Sequence, residues 1–150
     1  MGVALSPSAN AEVEALIAAA TELVGTRGDG GVHTVAAAAR TSSGLVVTGL
    51  NLSHFTGGPC AELVVLANAA AAGAGPLELM VAVGSRGRGV LPPCGRCRQV
   101  LLDCQPGVQV VVPDAADGLR ALGVGELLPG AYVWSEQRPP AGERTASPDL

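Results

Sequence analysis

The sequence predicts a single α/β domain whose mixed sheet has an N-terminal hairpin and a parallel central set of strands. Between Leu45 and Val112, short apolar runs typical of strands alternate with two longer runs typical of helices. Each strand, helix, strand unit implies a right-handed crossover, so three parallel strands are expected. The 150 residues, 48% of them hydrophobic, suffice for one core and a tight subunit interface. We expect residues 1–136 to form this domain and the proline-rich residues 137–150 to form a flexible tail.

The elements follow one another without an internal repeat. Apolar residues recur at helical spacing over 8–24. A cluster of turn residues at 41–44 separates two strands, 32–39 and 45–52, which predicts the hairpin. The remaining expected elements are a buried helix over 60–72, a strand over 77–83, a helix over 94–104, a strand over 108–112, a returning strand over 119–122 and a helical turn over 124–128.

Composition excludes several classes of function. The net charge is −4 and all nine basic residues are arginines, so the chain lacks the basic face that binds a nucleic acid polymer. The absence of lysine excludes a lysine Schiff base or a lysine general base. Neither a run of 18 apolar residues nor a signal-peptide pattern occurs, so we expect no membrane association and a cytoplasmic location. A small neutral or cationic molecule is the expected partner.

Two short motifs carry the chemistry, Cys60-Ala61-Glu62 and Pro93-Cys94-Gly95-Arg96-Cys97. A C-x-E followed at this separation by P-C-x-x-C is the cysteine form of the signature of zinc-dependent deaminases. Both motifs open a helix that follows a strand, so the crossovers bring them to the same edge of the sheet. Cys94 and Cys97 can bind one ion together with Cys60, and three protein ligands leave the fourth tetrahedral position of zinc open.

Charged residues beside the cysteines have expected roles of their own. Glu62 lies near the metal without being needed as a ligand, and we expect it to carry a proton between water and the ring that is deaminated. Three thiolates and Zn²⁺ sum to a net charge of about −1, so Arg96 and Arg98 are candidate donors that offset it. The alternatives are inert buried thiols or a structural zinc site. Cys104 has no partner at ligand spacing and is expected to be a core thiol.

The three aromatic side chains, Phe55, Tyr132 and Trp134, have two interpretations. They pack in the core or in an oligomer contact, or they wall the pocket of a flat heterocycle. His54, in the loop before Cys60, is expected to make structural hydrogen bonds, because the three thiols already suffice as ligands.

Longer blocks around these motifs resemble a known family. They are Asn51 to Leu66, Pro93 to Asp103, Gly125 to Pro129 and Tyr132 to Trp134, and they closely resemble the blasticidin S deaminase branch of the cytidine deaminase superfamily. The resemblance implies a three-layer α/β/α cytidine deaminase-like fold with a five-stranded sheet, a homotetramer, one zinc ion per subunit, and hydrolysis of the 4-amino group of a cytosine nucleoside.

The resemblance also implies a set of site residues. The zinc ligands are Cys60, Cys94 and Cys97, the proton carrier is Glu62, and the substrate contacts are Thr34, Asn51, Arg88, Tyr132 and Trp134, with Phe55 a further candidate from its place before Cys60.

The sequence departs from these families near the expected substrate. Ordinary cytidine deaminases carry Asn-x-Glu, whose glutamate binds the ribose hydroxyls, and an arginine after the catalytic glutamate; Ser53 and Leu63 stand at those places. In the blasticidin branch, a tyrosine and a serine are replaced by His33 and Thr34, and another tyrosine by Ser53. We therefore expect blasticidin S or a related 4-aminopyrimidine nucleoside as substrate. Cytidine or deoxycytidine is the alternative substrate, and a degenerate zinc-binding module is the non-enzymatic alternative.

Overall fold

A six-stranded mixed sheet lies between one helix on one face and two helices on the other. The computed structural model describes residues 7–114 and 118–137. The helices are α1 Pro7–Arg27, α2 Ala61–Ala71, α3 Gly95–Cys104 and the short α4 Trp134–Gln137, and the strands are β1 Val35–Thr41, β2 Val46–Leu50, β3 Leu77–Gly84, β4 Gly89–Leu91, β5 Gln109–Asp114 and β6 Gly118–Gly123. The expected α/β class with a mixed sheet is confirmed.

The strand order is β2-β1-β3-β5-β6, with β4 paired to β3 outside this path. The β1–β2 hairpin is antiparallel, as predicted, and β1 is also antiparallel to β3. The three strands expected to be parallel, β2, β3 and β5, do run in the same direction, but β1 lies between β2 and β3. Parallel hydrogen bonding is therefore limited to β3 and β5. A hairpin fixes its own pairing and leaves open on which side the next strand joins.

One further difference concerns the number of strands, which is six instead of the expected five. The sixth strand, β4, is only three residues long and pairs with β3 directly after the glycine-rich loop. A segment this short has no alternation of apolar and polar residues from which a strand could be predicted. The expected returning strand is present as β6, antiparallel to β5. Gln137 ends α4, and the other residues of the expected tail, 138–150, lie outside the described residues.

The central strand β1 is built of alanine because helices pack on both of its faces. Ala36 and Ala38 pack in the cluster that contains α1, whereas Ala37 and Ala39 pack in the cluster that contains α2 and α3. All four are fully buried. Small side chains let both helix layers approach the strand, and this packing overrides the weak strand propensity of alanine.

The topology brings four segments to one edge of the sheet. Strands β2 and β3 end there, whereas β1 and β4 begin there: Val35 of β1 and Gly89 of β4 are both paired with Gly84 at the end of β3. Helices α2 and α3 lie on the same face, where Val65 and Leu101 share one core cluster. The first residues of both helices are thereby neighbours. Among the described residues, no helix combines the length and the apolar character needed to cross a membrane.

Gly49 tests how closely α2 packs on the sheet. A Cβ atom at this buried position of β2 would lie 2.8 Å from the Cγ1 of Val64 and 3.0 Å from the backbone nitrogen of Val65. We expect Gly49→Ala to lower the free energy of unfolding by about 1–3 kcal/mol, because a β-branched side chain and a helix backbone have little freedom to move away. Urea unfolding measures the change. The matched control is Gly107→Ala, where no atom lies within 4 Å of the added methyl group; equal stability of both variants would contradict the packing.

Candidate metal centre and active site

The sulfur atoms of Cys60, Cys94 and Cys97 form a cluster at the sheet edge. All three lie within 4.8 Å of one another, and the sulfurs of Cys60 and Cys94 are 3.7 Å apart. In a tetrahedral zinc site with Zn–S bonds of about 2.3 Å, two sulfurs are separated by about 3.8 Å. The spacing of the sulfurs therefore fits a single metal ion.

The ends of two helices position these sulfurs. Cys60 and Cys94 are the N-cap residues of α2 and α3, both with extended backbone and without a side-chain capping bond. Their side chains are thus available to the cluster instead of the helix amides. Cys97 lies in the first turn of α3 and is fully buried. The positive ends of both helix dipoles favour the thiolate form of nearby cysteines.

Ionisation of the buried cluster needs compensating charge. Burial raises the pKa of the Cys97 thiol far above its ordinary range, and the negative charge of Glu62 adds to the effect. Burial also acts against ionisation of Cys94, but hydrogen bonds from the backbone of Cys97, from the Cys97 and Cys60 thiols and from the backbone of Arg96 outweigh it, so the pKa of Cys94 lies below its usual value. A divalent cation that favours sulfur supplies the missing charge, so this donor set fits a metal ion.

Glu62 presents a buried carboxyl beside the cluster. It lies in the first turn of α2, with only 6% of its surface exposed. Burial raises the pKa of this carboxyl, while an interaction with the Cys97 side chain acts in the opposite direction. A carboxyl in such surroundings can exchange a proton near neutral pH more readily than an exposed one.

Two arginines of α3 have different partners. The guanidinium of Arg96 donates to the carbonyl oxygen of Gly58 and to the sulfur of Cys60, at 3.6 Å. The sequence placed Arg98 in the same role, but its side chain donates to the carbonyl oxygens of Pro93 and Leu127, each at 2.8 Å. Arg96 therefore brings positive charge to a sulfur directly, whereas Arg98 acts on the backbone next to the cluster.

A cavity of about 350 Å³ adjoins Glu62 and the sulfurs of Cys60 and Cys94. Its other polar lining comes from Asn51, Ser53 and His54, and its apolar lining includes Val35, Leu52, Ala82 and Leu91. His54 makes the local hydrogen bond expected of it, to the hydroxyl of Thr56 at 2.6 Å. Its position on the cavity wall was missed, since the spacing of a loop residue carries no such signal.

The Asn51 side chain is engaged within its own chain. Its Oδ1 accepts hydrogen bonds from the backbone nitrogens of Thr34 and Val35, at 2.7 and 2.9 Å. Its Nδ2 donates to the hydroxyl of Ser53 at 3.0 Å and to that of Thr34 at 3.5 Å. Asn51 therefore fixes the beginning of β1 and orients Ser53 at the cavity wall.

Five of the six predicted substrate contacts, all except Asn51, do not line this cavity within the chain. Phe55 is 94% exposed, and its ring contacts only the neighbouring ring of His54 among the described aromatic contacts. Tyr132 and Trp134 are also exposed. Arg88 lines a separate cavity of about 290 Å³ together with Thr34, to whose carbonyl oxygen it donates. The described residues of one chain thus unite the cysteines, Glu62, Asn51 and Arg96, but leave the aromatics at the surface.

Comparisons with known proteins agree on one family, although no family model matches the chain. A cytidine deaminase of Mycobacterium tuberculosis is 39% identical over 100 residues, which are 65% of this chain and 71% of that protein. A blasticidin-S deaminase of Bacillus cereus is 28% identical over 127 residues, 79% of this chain and 90% of that protein. The crystal structure of cytidine deaminase from Mycobacterium tuberculosis matches with a TM-score of 0.68 and 32% identity, covering 81% of this chain and 98% of that one. With this fold and this cysteine cluster, these similarities show that the chain is a deaminase and belongs to the cytidine deaminase family.

Proposed function

We propose that the protein is a zinc-dependent hydrolase that converts the 4-amino group of a cytosine nucleoside to a carbonyl group and releases ammonia. The observation that carries the proposal is the buried carboxyl of Glu62 beside three clustered cysteine sulfurs, at the wall of a cavity of about 350 Å³. Pockets that hold small molecules have volumes of about 300–1,000 Å³. A nucleoside is within that class of ligand.

Zinc is the proposed metal because three thiolates and one open position match its preferred tetrahedral coordination. When bound, it supplies Lewis acidity, which makes water a nucleophile near neutral pH. Cys60, Cys94 and Cys97 would hold it. Arg96 offsets part of the negative charge of the three sulfurs through its bond to Cys60. Ordinary cytidine deaminases carry an arginine directly after the glutamate, where this chain has Leu63. Arg96 takes the place of that arginine as the source of positive charge.

Glu62 is the proposed proton carrier. As water attacks the carbon that bears the amino group, the carboxylate takes a proton from it and delivers the proton to the ring. The carbon–nitrogen bond then breaks, the oxygen stays on the ring carbon as a carbonyl, and the amino group leaves as ammonia with the second proton of the water. Burial keeps bulk water from competing for these protons, and it raises the pKa of Glu62 toward the range in which a carboxyl both accepts and donates.

Two substrates within this class have support from different observations. Ser53 is a short neutral side chain with a single oxygen, which accepts a hydrogen bond from Asn51, so it lacks the carboxylate with which a glutamate at that place binds the ribose hydroxyls. This favours blasticidin S or a related 4-aminopyrimidine nucleoside, as does the likeness to the Bacillus cereus enzyme over 79% of this chain. The 39% identity to a cytidine deaminase favours cytidine or deoxycytidine as the second candidate.

The exposed aromatics support an interface between subunits, and the family resemblance implies that the assembly is a homotetramer. Phe55, Tyr132 and Trp134 have 94%, 61% and 48% of their surfaces exposed in the single chain. Large aromatic side chains are enriched at protein interfaces. We expect light scattering to give four times the chain mass; a monomer at micromolar concentration would contradict this assembly.

A substrate panel tests the proposed reaction. Zinc-loaded enzyme is incubated with blasticidin S, cytidine, deoxycytidine and free cytosine, and the ultraviolet change from cytosine to uracil is followed. We expect turnover with a higher kcat/KM for blasticidin S than for cytidine. Efficient cytidine turnover without turnover of blasticidin S would contradict the first substrate and support the second. Absence of turnover on all four compounds would contradict deamination.

Glu62→Gln tests the proton carrier. The amide keeps the shape of the side chain but cannot carry the proton, so kcat should fall by about 10²–10⁴-fold or more, while one zinc ion per chain is retained. Turnover on the best substrate of the panel and elemental analysis measure the two quantities. Glu78→Gln is the matched control, because Glu78 pairs with Arg40 at the surface. If Glu62→Gln turned over as fast as this control, Glu62 would not be the proton carrier.

A further inference from the structure

Two consecutive residues of α3 tie the C-terminal segment to the helix that carries two of the cysteines. Arg98 donates from Nε to the carbonyl oxygen of Pro93 and from Nη1 to that of Leu127, each at 2.8 Å. Gln99 donates to the carbonyl oxygen of Tyr132 and to the carboxylate of Asp103, each at 2.9 Å. Neither side chain lines the cavity beside Glu62. Both therefore contact the site only through other residues.

Arg98 holds the backbone on both sides of Cys94. Its side chain binds the carbonyl oxygen of Pro93, the residue before Cys94, and its backbone nitrogen donates to the carbonyl oxygen of Cys94 at 3.0 Å. Pro93 is fully buried, whereas Cys94 is exposed. The Arg98 side chain therefore fixes the backbone directly before Cys94, from which the Cys94 side chain projects into the cluster.

The second backbone partner of the Arg98 side chain belongs to a rigid turn. Leu127 lies in the turn that follows β6, where its backbone nitrogen donates to the carbonyl oxygen of Val124 at 3.1 Å. Val124 and Leu127 are buried in the same core cluster as Leu101 of α3. An arginine can donate in two directions from one planar group, so it joins the turn to the Pro93 backbone without a flexible element between them.

We propose that Arg98 is a positioning residue that sets how tightly the metal is retained, by fixing the backbone around Cys94 against the turn at Val124–Leu127. Gln99 adds a hydrogen bond to the backbone of Tyr132, so the C-terminal segment that carries the exposed aromatics also supports the metal centre. The inference rests on the proposed zinc site. Removing the hydrogen bonds of Arg98 or Gln99 should therefore affect the retention of the metal more directly than it affects contacts with substrate.

The test compares metal release from Arg98→Gln, Arg98→Lys and Gln99→Ala with release from the wild type. Partners that orient metal ligands typically contribute about 10–100-fold to metal affinity or activity, so we expect zinc transfer from Arg98→Gln to a chelator to be faster by a factor in this range. Arg98→Lys keeps the charge but cannot donate in two fixed directions, so its rate should be intermediate. Gln99→Ala should show a smaller acceleration. Arg120→Gln is the control, because Arg120 pairs with Asp114 in the β5–β6 hairpin, and it should release zinc at the wild-type rate.

Cobalt spectra separate positioning from general destabilisation. In the Co²⁺-loaded protein, we expect the visible ligand-field bands to change in Arg98→Gln and to recover in part in Arg98→Lys. A purely structural role would lower the unfolding temperature of the metal-free protein and leave the bands unchanged, which would overturn the inference. Wild-type release rates in both Arg98 variants would overturn it as well; if Arg98→Gln does not fold, Arg98→Lys alone decides. A wild-type protein that binds neither metal would instead contradict the proposed function.

Discussion

Mutual repulsion of three cysteine thiolates is the constraint on which the rest of this site depends. Their sulfurs lie within 4.8 Å of one another, and the buried carboxyl of Glu62 adds further negative charge. The chain opposes this with the positive ends of two helices and with Arg96, which donates to the sulfur of Cys60. A bound metal ion would complete the balance. The same burial that raises the free energy of the thiolates also raises the pKa of Glu62.

The sheet provides the rigid frame that this crowded site requires. The alanines of β1 let helices pack on both faces, and Gly49 lets α2 approach β2 closely. As a result, the first turns of α2 and α3 meet at one edge, although their cysteines are far apart in sequence. Asn51 and Arg98 then fix the backbone beside the cavity and beside Cys94. Both side chains hold segments of the backbone in place, because each forms hydrogen bonds with backbone atoms.

Residue type and spacing predicted the parts of the structure that depend on local sequence. The two motifs that contain Cys60, Glu62, Cys94 and Cys97 predicted a metal site with a neighbouring proton carrier. The alternation of strands and helices predicted that both motifs lie at one edge of the sheet. The insertion of β1 between β2 and β3 was not predictable in this way, because strand order depends on tertiary packing. The carbonyl partners of Arg98 and the exposed position of Phe55 depend on side-chain directions, which spacing does not encode.

The central claim is that three sulfurs jointly hold one metal ion, and cysteine alkylation tests it directly. Cys104, which we expected from the sequence to be a core thiol, is exposed, as is Cys94. The two cysteines lie at opposite ends of α3, but only Cys94 belongs to the cluster. In zinc-loaded protein treated with iodoacetamide and analysed by peptide mass spectrometry, Cys104 should be modified while Cys94 is protected, and a chelator should make Cys94 reactive. Modification of Cys94 at the same rate with and without zinc would contradict the account.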